Sequence, residues 1–289
     1  MIIIIGDPHG CLTELRALVQ QVGYVRERDS LIIVGDTVDR GPNSVGVVEY
    51  CIEIGARLCR GNHEDNALRF LAHEARVRSE PGYVNPMEHP PQPRQPPPVD
   101  PSDRQAAHKA RRGVRKAFIP PKPIPEAYKA AWRALSEEHL AWMRRSAATI
   151  ALAPNWVVVH AGVEARPMAE QLPDRMMRIR YINPTTGHMT TNPDGSLAQP
   201  PGSVWWMDAW SGPENIVYGH AIHSLEHPRI DVRETPHGIV RCYGIDTGCC
   251  FGGRLTAMVC DNEMRSEPRF VQVQAERAYM EMPTGGVAS

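Results

Sequence analysis

The chain has 289 residues, 42% of them hydrophobic, with a formal net charge of −1. This is the make-up of one large globular domain or two small ones, and it lacks the positive excess of a dedicated nucleic-acid binder. No apolar stretch approaches the roughly 20 residues that span a bilayer. The opening Met-Ile-Ile-Ile-Ile run has no basic leader and ends at Gly6, so no signal peptide is expected and the chain reads as cytoplasmic.

Residues 2–5 form a short β-branched run that stops at GDPHG (6–10). Leu12, Leu15, Val19 and Val22 then recur at helical spacing, with Gly23 as the stop. A second run at 31–34 stops at GDTVDRG (35–41), and Val45, Val48, Cys51 and Ile52 repeat the helical pattern before Gly55. Residues 56–59 lead into RGNHE (60–64), 156–159 into HAG (160–162), and 216–218 into Gly219-His220. Apolar runs of this length predict strands buried on both faces, and their alternation with helices predicts α/β architecture. The stretches 239–245, 254–260 and 269–274 read as successive strands without helices between them. A mixed sheet, or two packed sheets with helices outside, fits this order. The last dozen residues are expected to fray.

From about Pro81 to Pro125 the pattern breaks. This stretch holds roughly half of the chain's 27 prolines and carries Arg111, Arg112, Arg115 and Lys116. Proline at this density excludes a packed helix or a central strand. The two readings are an extended surface insertion and a basic lid that attracts an anionic substrate. The seven cysteines are scattered and form no CxxC pair, so reduced, partly buried thiols are expected.

The chemistry lies at the strand ends. Asp7 and His9 follow the first run; Asp36, Asp39 and Arg40 the second; Asn62 and His63 the third; His160 and His220 the last two. In an open α/β sheet such residues converge beyond the carboxyl ends of the strands. Carboxylate mixed with imidazole suits manganese, iron or zinc better than calcium or magnesium. Six candidate ligands (Asp7, His9, Asp36, Asn62, His160, His220) exceed the needs of one ion and suit two sharing a carboxylate. Two ions about 3.5–4 Å apart clamp a phosphate and lower the pKa of a bound water. Arg40 and Arg60 offer guanidinium forks that match phosphate oxygens and offset charge in the transition state.

In this order, GDPHG, GDTVDRG, RGNHE, HAG and Gly219-His220 resemble the motifs of calcineurin-like metallophosphoesterases. The DRG and RGNHE forms resemble the phosphoprotein phosphatase branch, which includes serine/threonine phosphatases and symmetrical diadenosine tetraphosphatases. The resemblance implies a four-layer α/β fold, a central β-sandwich of mixed sheets flanked by helices. The resemblance covers residues 2–75 and 150–260, and a single domain over residues 1–275 with a tail at 276–289 is expected; the proline-rich basic insertion, at about 76–133, departs from the family pattern. The resemblance also implies that Asp7, His9 and Asp36 hold one metal, with Asp36 bridging, and that Asn62, His160 and His220 complete the second. Manganese is the first choice, with iron, zinc, cobalt or nickel as alternatives. His63, paired with Asp39, would be the general acid, or would bind phosphate without proton transfer; Arg40 and Arg60 would bind phosphate. For a third arginine, Arg180 is the first choice and Arg178 the second.

The segment Trp205-Trp206-Met-Asp-Ala-Trp210 through His220, and Asp246-Thr-Gly, resemble the diadenosine tetraphosphatase subgroup. Its tryptophans either stack on a nucleobase or pack in the core, and Asp246 is a candidate hydrogen-bond partner of a ligating histidine. The expected function is hydrolysis of a nucleoside polyphosphate such as diadenosine tetraphosphate by attack of metal-bound hydroxide. The alternative is a serine/threonine protein phosphatase using the same site. A non-catalytic scaffold is disfavoured, because every motif position for a ligand is filled. The partner is therefore a phosphorylated small molecule or a phosphoprotein, with no membrane and no dedicated nucleic acid; oligomeric state stays open.

Overall fold

The computed structural model describes residues 1–89, 123–152, 155–192 and 194–283. The first half runs β1 (Ile2–Ile5), α1 (Leu12–Val22), β2 (Ser30–Ile33), α2 (Ser44–Glu53), β3 (Arg57–Leu58), α3 (Asn62–Ser79), α4 (Glu126–Arg133) and α5 (Glu137–Arg145). Then come β4 (Thr149–Leu152), β5 (Trp156–Val159), α6 (Pro173–Met176), β6 (Tyr181–Ile182), β7 (Met189–Thr190), β8 (Val204–Trp205) and α7 (Trp206–Ala209). The chain continues through β9 (Asn215–Tyr218), β10 (Arg229–Thr235), β11 (Gly238–Gly244), β12 (Asp246–Thr247), β13 (Arg254–Cys260) and β14 (Arg269–Gln274).

Four consecutive isoleucines can all be buried only if both faces of their strand are covered. β1 meets that condition at the centre of a six-stranded sheet ordered β12-β13-β1-β2-β3, with β14 also paired to β13. It runs parallel to β2 and antiparallel to β13. Ile2 and Ile4 point inward and pack with Trp156, Val158, Val217 and Tyr243 of the second sheet, ordered β10-β11-β9-β5-β4. Ile3 and Ile5 point outward, against Leu15 and Leu18 of α1, Val47 and Val48 of α2, and Phe70 of α3. Burying each such side chain contributes about 1.5–3 kcal/mol. The outer face of the second sheet is covered by α6, α7 and a small three-stranded sheet, β7-β6-β8. The layers are helix, sheet, sheet, helix, the α/β sandwich expected. No helix among the described residues is long and apolar enough to cross a membrane.

Several details differ from expectation. The basic residues 111–116 lie outside the described residues, but both ends of the insertion are more structured than its assigned span of 76–133. α3 continues through Ser79, and residues 126–133 form α4, whose Trp132 is buried beside Phe70. Trp132 and Tyr128 stand one helical turn apart, a periodicity masked by the prolines before them. Salt bridges tie the two ends: Lys129 Nζ lies 2.9 Å from Glu88, and Arg133 pairs with Glu74. Residues 276–280, assigned to the tail, are pinned. The Tyr279 hydroxyl donates to Glu14 Oε1 at 2.7 Å, and the backbone N–H groups of Tyr279 and Met280 donate to the Cys250 carbonyl. Of the last dozen residues, expected to fray, 284–289 lie outside the described residues. All seven cysteines are free and buried.

The stacking role for the tryptophans fails. Trp205, Trp206 and Trp210 are buried in the core beside the small sheet, Trp206 edge-on to Tyr218 and Trp205 edge-on to Tyr181. No face is left for a nucleobase.

Candidate active site

β1, β2 and β3 are mutually parallel, as are β5 and β9 of the other sheet. Their carboxyl ends meet at the seam of the sandwich, where side chains from both sheets converge. Asp36 lies at the centre. Its Oδ2 stands 3.5 Å from His9 Nε2, 3.8 Å from His63 Nε2 and 3.3 Å from His160 Nε2. Its Oδ1 accepts the His63 backbone N–H at 3.0 Å. The donor atoms of His9, Asp36 and His63 lie within 4.8 Å of one another, and so do those of Asp36, His160 and His220. Asp36 is common to both groups.

The imidazoles are aimed by their far nitrogens. His9 Nδ1–H donates to the Val38 carbonyl at 3.0 Å, and His160 Nδ1–H to the Val34 carbonyl at 3.1 Å. Both Nε2 atoms therefore face the centre. Asn62 Oδ1 is 3.1 Å from His160 Nε2. Asp7 accepts the His220 backbone N–H through Oδ2 at 2.8 Å, while its Oδ1 is buried without a hydrogen-bond partner. Only glycine fits at 219, since a Cβ there would run into Asp7 Oδ1.

Backbone strain concentrates at the same place. Seven non-glycine residues among those described have positive φ, and five of them are His9, Asp36, Asp39, Arg40 and His220. Such conformations cost about 1–3 kcal/mol each and persist where the surroundings enforce them.

The expected His63–Asp39 pair is formed: His63 Nδ1–H donates to Asp39 Oδ2 at 2.6 Å, leaving Nε2 toward Asp36. Arg40 lies inside the site, its Nη1 2.7 Å from His9 Nε2 and its guanidinium over the Phe251 ring. Of the two later arginines, Arg180 is brought in: its Nη2 donates to the His220 carbonyl at 3.1 Å, and its buried Nε has no partner. Arg178 turns away to Asp65 and Asp174. Arg60 also points elsewhere, donating to Ser146 Oγ and to the carbonyls of Arg144 and Ser146 at the end of α5. Lone carbonyls at a helix C-terminus attract such a cation.

Asp246 is buried near the site without a histidine partner. Its Oδ1 accepts the Gly248 N–H at 2.9 Å and its Oδ2 has no partner, contrary to its expected role.

Two residues of consequence were not singled out from sequence. Glu64, fully buried, accepts four hydrogen bonds: Oε2 from the backbone N–H of Asp36 and Gly61, Oε1 from the Thr37 N–H and hydroxyl. Its signal was the N-cap to N3 spacing from Gly61. Trp132 donates its indole N–H to Asp39 Oδ1 at 2.7 Å; no linear motif marks it.

A family model described as calcineurin-like phosphoesterase matches residues 1–239. The chain belongs to this family. It is 28% identical to the symmetrical bis(5'-nucleosyl)-tetraphosphatase of Salmonella arizonae, over 98% of this chain and 97% of that protein. The corresponding protein of Salmonella paratyphi A is 27% identical over the same shares. A crystal structure of a candidate diadenosine tetraphosphatase superposes with a TM-score of 0.61 at 22% identity, covering 95% of this chain and 93% of that one. The calcineurin-like phosphoesterase is thus a hydrolase of phosphoric esters or anhydrides.

The site of this phosphoesterase suits divalent cations. Carbonyl-anchored imidazoles, an orphaned carboxylate oxygen on Asp7 and a carboxylate ringed by three imidazoles form a donor set of the right chemistry. Its electrostatics in the cation-free protein agree. Burial, then the charges of Asp246 and Asp36, raise Asp7 well above the usual carboxylate range. Burial, then the neighbouring arginines Arg40 and Arg180 respectively, keep His9 and His220 neutral. For His160 burial works against the proton, but the Asp36 charge and hydrogen bond outweigh it and raise the pKa from 6.5 to about 9.

That proton stands where cation charge belongs, which sets a sign. A raised pKa contributes stability that is complete below the unfolded value of 6.5 and lost as pH rises through about 9. A divalent cation displaces the proton, so its stabilising effect should grow across that window. Urea midpoints with manganese and with chelator at pH 6.5 and pH 9 measure the difference; an equal gain at both ends would refute it.

Proposed function

We propose that this phosphoesterase hydrolyses dinucleoside tetraphosphates, diadenosine tetraphosphate first among them, at a two-cation site centred on Asp36, with manganese the preferred ion. The observation that carries the reading is Asp36, set between His9 on one side and His160 and His220 on the other, with the unpartnered Asp7 Oδ1, Arg40 and the Asp39–His63 pair beside it. Full-length similarity to symmetrical tetraphosphatases supports the choice of substrate class.

Asp7, His9 and Asp36 would hold one cation, and Asp36, Asn62, His160 and His220 the other. Bound there, two divalent ions would activate a water as nucleophile and offset phosphate charge. The chain's own groups do the rest. Arg40, held over Phe251, and Arg180, held against the His220 carbonyl, bind the phosphate oxygens and fix the phosphorus for in-line attack. Arg60 supports the end of α5 in this structure and is left out of the phosphate-binding set. His63 hands a proton from Nε2 to the leaving oxygen, and Asp39 on Nδ1 fixes the ring.

The test is product analysis with diadenosine tetraphosphate and manganese in water enriched in oxygen-18. Two molecules of ADP, one carrying solvent oxygen, are expected. ATP plus AMP would overturn symmetrical cleavage. Faster turnover of a phosphoserine peptide would favour the protein phosphatase reading.

A further inference from the structure

Helix α4 reaches the site from a part of the chain that none of the motifs covers. Its Trp132 is 2% exposed, and its indole N–H is 2.7 Å from Asp39 Oδ1, the carboxylate oxygen that His63 leaves free. We propose that Trp132 is a positioning residue for proton transfer, holding the Asp39 carboxylate in the orientation that presents Oδ2 to His63. The inference rests on the reading of His63 as proton donor.

The geometry leaves the indole little freedom. Its ring packs on Phe70 of α3 at 5.4 Å between centroids, and on Tyr128, whose own ring stands 6.4 Å from that of His63. α4 is fastened by the Lys129–Glu88 and Arg133–Glu74 pairs. Asp39 needs an external hold. Its backbone has φ of +73° and its N–H is taken by Ser44 Oγ, so the carboxylate is steered from its two oxygens alone. Indole is a donor only. It therefore holds Oδ1 as an acceptor and leaves Oδ2 for the His63 Nδ1–H. Without the indole N–H, a buried carboxylate oxygen is left unpaired and the side chain is free to rotate toward another donor.

A lost positioning contact is read from its dependence on the leaving group. Phenyl phosphate expels a basic phenoxide that needs a proton; 2,4-dinitrophenyl phosphate expels one that does not. In Trp132→Phe, kcat for phenyl phosphate should fall about tenfold, that for the dinitrophenyl ester less than about threefold, with KM unchanged for both. Equal losses on both esters would overturn the inference. The His63→Asn variant separates the two levels: it should show the same selectivity more strongly. If His63→Asn loses equally on both esters, the proton-donor reading falls and this inference falls with it. If only Trp132→Phe loses equally, the inference alone falls. Should Trp132→Phe fold poorly, 3-benzothienylalanine at position 132 keeps the ring's shape and lacks the N–H. A double variant with Asp39→Asn, assayed on diadenosine tetraphosphate, should be no slower than Asp39→Asn alone; multiplying losses would mean that Trp132 acts elsewhere.

Discussion

Asp36→Asn should lower turnover by roughly 10³-fold or more while leaving the protein folded. The substitution keeps an oxygen able to accept the His63 backbone N–H, but it replaces anionic Oδ2 with a neutral group among three imidazole nitrogens. Asp36 belongs to both donor groups, so both cation positions would lose their shared anion. The same change should be visible without turnover. The Asp36 charge is what holds the His160 proton against burial, so its pKa should drop from about 9 toward 6.5 or below in the cation-free variant. NMR titration of the imidazole measures this, and calorimetry measures the loss of manganese affinity. Unchanged turnover, or a His160 that still titrates near 9, would refute the central role given to Asp36.

Glu64→Gln should destabilise the fold by about 3 kcal/mol and reduce activity about 10- to 100-fold. Glu64 never faces the substrate in this arrangement; its two oxygens receive four donors from the turns that carry Asp36 and Asn62. An amide retains one acceptor and turns an N–H toward two of those donors. The buried N–H groups left behind each carry a desolvation cost, and the Asp36 backbone, already at φ of +52°, loses its restraint. Urea unfolding gives the stability change, and the manganese dependence of kcat shows whether the cation site has shifted. A variant as stable as the parent would mean that the four-donor network adds nothing.

Most of the site was legible because its signal is local. A β-branched run followed at once by Asp-x-His, or by Asp-x-x-Asp-Arg, places ligands at a strand end whatever the rest of the chain does, and Asp7, His9, Asp36 and Asp39 gather where that rule puts them. Orientation was not legible. Arg60 stands beside Asn62 in sequence, yet its guanidinium answers to the carbonyls at the end of α5, more than 80 residues away. Trp132 could not be assigned at all, since its partner Asp39 lies 93 residues earlier with a proline-rich interruption between them. Among the strands, β1, β2, β5 and β9 read as buried apolar runs. β10 alternates charged and apolar residues, but its more exposed face is the one that carries Ile230 and Val232, and the two-residue strands of the small sheet are too short to show any period.

The clamped ends of α3 and α4 bear on how such a protein diverges. Glu88 pairs with Lys129 and Glu74 with Arg133, so the segment ending at residue 89 and the one starting at residue 123 are held together by contacts of their own. Doubling a closed loop costs only about 0.6 kcal/mol in chain entropy. By that scaling, a change of chain length between the two ends should cost little stability while both pairs stand. What the two pairs protect is the seating of Trp132 against Asp39, which does not depend on how much chain runs between them.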